Sequence, residues 1–228
     1  IENLHGILGI YKIHMALSLP LTLVACVGLI NSFNLIDGVD GLSSGFSIVA
    51  SVLFAAWTFV QGGAVNLLMS CALIGALIPF FIYNVFGKQN KMFMGDAGSH
   101  FLGVIFCVMA LNVITTASSD VAVETATIPF VFAVLSHPIM DTLRVMTMRI
   151  FRGKSPFKAD KTHLHHALVG RGLTHLTTTL IIILLNLLVV LAWLICYNCG
   201  ASATFQMLIV VIVAIIFIVV PYPLLTKR

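Results

Sequence analysis

Three short polar segments interrupt an otherwise apolar chain, and each carries residues able to handle phosphate or a divalent cation. In NSFNLIDGVDGLSSG (31–45), Asp37 and Asp40 stand three residues apart, separated by Gly38 and Val39 and followed by Gly41. Glycines let backbone N–H groups come close to a ligand, and paired carboxylates can hold a cation or take up a proton. A plain polar turn would also use Asn, Asp and Gly. Asn31 and Asn34, however, precede the turn while the stretch is still apolar, and polar groups inside a bilayer usually line something.

In KMFMGDAGS (91–99), Asp96 lies between Gly95 and Gly98 where an apolar run begins. Free N–H groups at a helix start suit phosphate oxygens. A carboxylate there repels that phosphate unless Mg²⁺ bridges them, and Mg²⁺ favours one or two carboxylates plus phosphate and water. An N-capping aspartate is the simpler alternative. The third segment, KADKTHLHHALVGRG (158–172), places His163, His165 and His166 beside Lys161 and Arg171. Three clustered histidines suggest zinc first, but no HExxH and no companion cysteine accompanies them. The basic surroundings favour an anion, so a diphosphate-binding loop is expected, steadying charge on a leaving phosphate. An ordinary basic loop with incidental histidines is the competing reading. His5, His14, His100, His137 and His175 receive no functional role, and His100 and His137 are expected to satisfy their nitrogens within a helix bundle.

The elements that must position these segments follow from composition. Hydrophobic residues make up 60% of the 228 and charged residues only 9%, against about 25% charged in soluble domains. An all-α polytopic membrane protein is expected, since none of the ten-residue alternation of a membrane barrel is visible. Stretches long enough to span the hydrocarbon lie at about 17–36, 42–61, 64–86, 99–117, 124–147, 176–197 and 203–225, seven in all. Ten of the twelve Lys and Arg (Lys88, Lys91, Arg149, Arg152, Lys154, Lys158, Lys161, Arg171, Lys227, Arg228) then fall on one side, with Lys12 opposite. The positive-inside rule makes that side cytoplasmic, and the three polar segments lie on it. Glu2, Asp120 and Glu124 fall on the other side. Cys196 and Cys199 form a lone CxxC, read as helix-end residues rather than a redox pair. The combination points to phosphoryl transfer between a soluble nucleotide and a membrane-bound acceptor.

At these segments the chain resembles the polyprenyl-phosphate N-acetylhexosamine-1-phosphate transferase family, which includes the phospho-MurNAc-pentapeptide transferases. NSFNLIDGVDGL resembles the family's NxxNxxDGxDGL, FMGDAGS its FMGDxGS, and HLHH the histidine loop of the GlcNAc branch. The resemblance implies a single transferase domain over residues 1–228, the C-terminal two-thirds of the family fold. Asp96 would be the ligand of Mg²⁺ (or Mn²⁺). Asp37 and Asp40, with Gly38, would border the uracil and the reacting phosphates, and Asn84 and Phe93 would contact the uridine. Asn31, Asn34, Lys161 and Arg171 would complete the substrate site, and His163, His165 and His166 would hold the diphosphate. Asp141, in HPIMDTLRV, would sit at the base of the histidine loop and pair with Arg144.

The implied reaction joins a UDP-HexNAc, by the interrupted histidine run UDP-GlcNAc, to undecaprenyl or another polyprenyl phosphate and releases UMP. It would occur at the cytoplasmic face of a bacterial plasma membrane; the sequence leaves the oligomeric state open, with a homodimer one arrangement the resemblance allows. Nucleic acid is not an expected partner. Whether Asp37 or Asp40 acts as a base or as a nucleophile stays open. The family's earlier paired-aspartate motif is missing and the chain begins at Ile1 without a signal-peptide pattern, so an N-terminal part is expected to precede it. Alternatives are a pentapeptide-type donor and, from another class, a secondary transporter, which usually keeps its acids near the bilayer midplane.

Overall fold

The computed structural model describes residues 1–61, 63–116, 120–155 and 162–226. A small hairpin of β1 (Asn3–Ile7) and β2 (Ile10–Lys12) precedes the helices. The helices are α1 (Met15–Ile36), α2 (Leu42–Gln61), α3 (Ala64–Phe86), α4 (Gly95–Thr115), α5 (Val121–Val134), α6 (Ser136–Phe151), α7 (Leu164–Gly170), α8 (His175–Asn198) and α9 (Ala203–Ala214). A π-helical turn, Ile215–Val219, and α10 (Pro221–Thr226) close the chain. Among the described residues six helices are long and apolar enough to cross a membrane, the sixth running Ala203–Pro223, and the bent pair α5–α6 passes the same test when its two halves are taken as one span. The protein is a multi-pass membrane protein. The hairpin is an addition to the all-helical expectation; it docks through buried His5, whose Nε2 lies 2.9 Å from the Ile114 carbonyl.

The fifth span differs from the continuous helix expected over 124–147. It breaks at Leu135 and bends by 65°. Pro138 supplies the reason: its ring lacks an N–H and clashes with the carbonyl four residues back, that of Val134. The groups freed by the break are taken up by one side chain from α8. Asn186 Nδ2 donates to the Val134 carbonyl at 3.0 Å. Its Oδ1 accepts from the His137 backbone N–H at 2.9 Å and from Ser136 Oγ at 2.8 Å. Hydrocarbon offers no water to an open backbone group, so a broken span needs such a partner.

Aromatic side chains fill the middle of the bundle. Phe33 of α1 stacks on Phe106 of α4 with ring centroids 4.9 Å apart, which holds the ends of these helices together. Phe54, Trp57, Phe130 and Trp193 continue the packing across α2, α5 and α8. Many Leu, Val, Ile and Phe side chains on α1, α3 and α8 face outward, as they must where the solvent is lipid.

Candidate active site

The connections at one end of the bundle come together: the α1–α2 turn, the α3–α4 connection, the segment leading into α7, and the start of α8. The α1–α2 turn is compact because Gly41 adopts φ +80, a conformation that L side chains rarely take. Its N–H donates to Asn84 Oδ1 at 2.6 Å, and Asn84 Nδ2 donates to the Met92 carbonyl at 2.7 Å. Asn84, at the end of α3, thus fastens the aspartate turn to the segment carrying Lys91 and Phe93.

On one side of the turn, Asn34 Nδ2 donates to Asp96 Oδ1 at 3.2 Å and to Ser99 Oγ at 3.0 Å. Asp96 is exposed in the first turn of α4, and His100 Nδ1 donates to its backbone carbonyl at 2.6 Å. Asp37, half-buried, lies close enough to Asp96 and Asp40 to feel both. Its carboxyl is pushed up to about 7, first by burial and then by those two negative neighbours.

On the other side, Asp40 Oδ2 accepts from Lys91 Nζ at 2.7 Å and from His175 Nδ1 at 2.6 Å. Burial works to raise Asp40, but the hydrogen bonds and charges of Lys91 and His175 outweigh it and hold the group below the usual carboxylate range. Phe93 is exposed, with Lys91 Nζ 5.4 Å from its ring centre.

The histidine segment closes over the turn. A Cβ on Gly38 would lie 2.6 Å from His165 Nε2 and 3.4 Å from His166 Cε1, so only glycine admits this approach. His163 and His165 are buried and their rings stack at 5.6 Å, while His166 is half-buried against His165. Burial first, then the neighbouring His166, lowers the His165 imidazole to about 3 and keeps it neutral. Its two ring nitrogens have no hydrogen-bond partner among the described residues.

Beneath the histidines, the Asp141–Arg144 pairing is present, with Arg144 Nη2 2.6 Å from Asp141 Oδ1. Asp141 Oδ2 also meets His163 Nδ1 at 2.8 Å, and Arg144 Nη2 donates to the Thr162 carbonyl at 2.7 Å. A buried ion pair with its remaining oxygens hydrogen-bonded in this way anchors the loop to α6.

Asn34, Asp37, Gly38, Asp40, Asn84, Phe93, Asp96 and the three histidines therefore gather at one end. Asn31 is half-buried, a turn before Asn34. Arg171 Nε donates to the Leu225 carbonyl at 2.7 Å, tying the end of α7 to α10. Lys161 lies outside the described residues. His137 departs from its expected satisfaction, because neither ring nitrogen has a partner among the described residues. His175, given no functional role in the sequence and lying just before the span at 176–197, joins the site through Asp40.

Among the described residues no three His, Cys, Asp or Glu cluster as a ready-made metal cage. The donor set at Asp96 and Asp37, hard carboxylate oxygens that mostly repel each other, instead fits a cation that keeps water and phosphate in its shell. Beside the site, an apolar groove of about 430 Å³ runs between α1, α4 and the α5–α6 pair. Leu29, Ala110, Val131, Leu135 and Leu143 line it, and it reaches Ser32, two residues before Asn34.

Residues 1–114 match the model of glycosyl transferase family 4. The undecaprenyl-phosphate alpha-N-acetylglucosaminyl 1-phosphate transferase of Escherichia coli K12 is 34% identical over 156 residues, 68% of this chain and 41% of that protein. The probable undecaprenyl-phosphate N-acetylglucosaminyl 1-phosphate transferase of Bacillus subtilis strain 168 is 36% identical over 168 residues, 73% of this chain and 45% of its own length. The corresponding Salmonella typhi transferase is 37% identical over 159 residues, 68% of this chain and 41% of that protein. This chain thus spans about two fifths of the curated relatives it matches. No solved structure matches it.

Proposed function

The chain belongs to glycosyl transferase family 4, and on that premise we propose that it forms the reacting part of an enzyme moving HexNAc-1-phosphate, from UDP-GlcNAc, onto a polyprenyl phosphate. An oxygen of the lipid phosphate bonds to the β-phosphorus of the donor, the bridging P–O bond to the α-phosphate breaks, and UMP leaves. The observation that carries this reading is the convergence of three distant segments: Asn34 on Asp96, and Gly38 under His165. These contacts bring polar side chains from segments far apart in the chain to one end of the bundle, as a shared site needs.

Each group has a task suited to its surroundings. Asp37, balanced near neutrality, takes the proton from the lipid phosphate. Asp96, steadied by Asn34, would hold Mg²⁺, which when bound neutralises charge on the diphosphate. His166, half-buried at the edge of the histidine segment, faces the turn where the phosphates lie, while His163 and Asp141 keep that segment in place. Asn84 and Phe93 would flank the uridine. The apolar groove ending near Asn34 suits a polyprenyl tail entering from the bilayer. With the basic end inward, the reaction occurs at the cytoplasmic face of a bacterial plasma membrane.

The test is UMP release by membranes carrying the full-length protein with UDP-GlcNAc, polyprenyl phosphate and Mg²⁺. Lipid-dependent release that falls at least a hundredfold in Asp96→Asn, with the variant still folded, is the expected outcome. Turnover near wild type in that variant removes Asp96 from the metal site. No release from the wild type with any UDP-sugar ends the transferase reading.

A further inference from the structure

His175 belongs to none of the three motifs, yet it makes one of the shortest contacts in the site. Its Nδ1 lies 2.6 Å from Asp40 Oδ2, while the Asp40 backbone N–H approaches the same nitrogen at 3.4 Å. Only one of these is compatible with a given proton position. The short contact to a carboxylate puts the proton on Nδ1, so His175 donates and the backbone approach is incidental. One helical turn on, Thr179 Oγ1 donates to the Asp40 carbonyl at 3.3 Å. The first turn of α8 therefore grips Asp40 by both side chain and backbone.

That turn is itself held tightly against α2: a Cβ on Gly45 would lie 3.4 Å from Thr179 Cγ2 and from Ile183 Cδ1. The grip is thus a fixed feature of how α8 meets α2. Lys91 Nζ donates to the same oxygen, Oδ2, at 2.7 Å. Two donors on Oδ2 bias the carboxylate to one orientation, and Oδ1 is left as the oxygen with no hydrogen bond among the described residues. Asn84 fixes the neighbouring Gly41 N–H, so the whole edge of the turn is oriented.

We infer that His175 is a donor-positioning residue: together with Lys91 it clamps Asp40 so that Oδ1 is presented as an acceptor to a hydrogen-bond donor of the nucleotide. The inference rests on the transferase reading, since it needs a nucleotide at the Asp40 edge of the turn. His175 does not touch the reacting phosphates and acts through Asp40. Losing it should weaken capture of the nucleotide much more than the chemical step, because among the described residues the reacting groups Asp37 and Asp96 make no hydrogen bond with His175. An asparagine at this position places an amide N–H where Nδ1 now stands, without the ring.

The experiment measures UMP release by the full-length protein in membranes, varying UDP-GlcNAc and polyprenyl phosphate separately, for wild type, His175→Ala and His175→Asn. The expected result for His175→Ala is a donor KM raised about tenfold, with kcat and the polyprenyl-phosphate KM within about twofold of wild type. His175→Asn should recover most of the donor KM. A wild-type donor KM in His175→Ala overturns the inference, as does an equal fall in kcat with donor KM unchanged. A general loss of folding would lower kcat in both variants and deny rescue by Asn, which also counts against it. These outcomes are read against an active wild type; inactivity of the wild type with every UDP-sugar is the separate failure of the transferase reading itself.

Discussion

Asp37 and Asp40 share a turn and meet opposite surroundings. Asp40 is partly buried and accepts hydrogen bonds from Lys91 and His175, which hold it below the usual carboxylate range, so it stays ionised. Among the described residues Asp37 has no such partner, and it faces Asp96 and Asp40 from a half-buried position, which lifts it to about 7. Two like groups driven apart in this way are what acid–base chemistry near neutrality needs. A base must be ionised to act, and a carboxyl raised to about 7 is protonated below that pH. The expected profile of kcat/KM for UMP release therefore rises with pH and levels off above about 7. A cation bound at Asp96 offsets part of the repulsion, so raising Mg²⁺ should move the limb to lower pH. A profile flat between about pH 5.5 and 8 would remove Asp37 from the role of base. Composition and spacing made both aspartates visible in the sequence. Their difference was not, because it comes from Lys91 and His175, whose side chains reach Asp40 from 51 and 135 residues away.

The broken span shows the same boundary between legible and hidden at the level of an element. Hydropathy over 124–147 describes one crossing, and Pro138 was there to be read as a break within it. Its partner could not be read, since Asn186 lies in the middle of another apolar run and looks like an isolated polar residue in α8. Only the packing of α8 against the break reveals that its amide satisfies both a carbonyl and an N–H across the gap. The hairpin at 3–12 was missed for a different reason: two strands of five and three residues are too short to show a period. Asn186→Leu keeps the branching at Cγ and removes every one of the bridging bonds. The expected loss is about 2–6 kcal/mol of stability, since three hydrogen bonds are removed and those between membrane helices are each worth about 0.6–2 kcal/mol. It should be read as a lower melting temperature in detergent. An unchanged melting temperature would mean that the break is satisfied by other groups.

Across the whole molecule, the distribution of charge decides what faces which compartment. Lys88, Lys91, Arg149, Arg152, Lys154 and Arg171 lie at the end that carries the site, whereas Lys12, Glu2, Asp120 and Glu124 lie at the hairpin end. This asymmetry was fully legible in the sequence because it is a bulk property that needs no contact to be known. It also rules against a transporter arrangement, since the acids sit at the ends of the spans and the mid-span break is closed by a neutral amide. The native cysteines provide the test. Cys199 is exposed at the end of α8, on the hairpin side, whereas Cys71 is exposed within α3, where lipid shields it, and Cys107 and Cys196 are buried. A membrane-impermeant maleimide added to intact cells should therefore label the protein, and Cys199→Ser should abolish the signal. In that background Lys88→Cys, at the end of α3 nearest the site, should react only after the membrane is opened. The reverse pattern would place the aspartate turn outside, away from any nucleotide sugar made in the cytoplasm. A catalytic role for Asp37 and Asp96 would then lose its substrate, however well their geometry suits it.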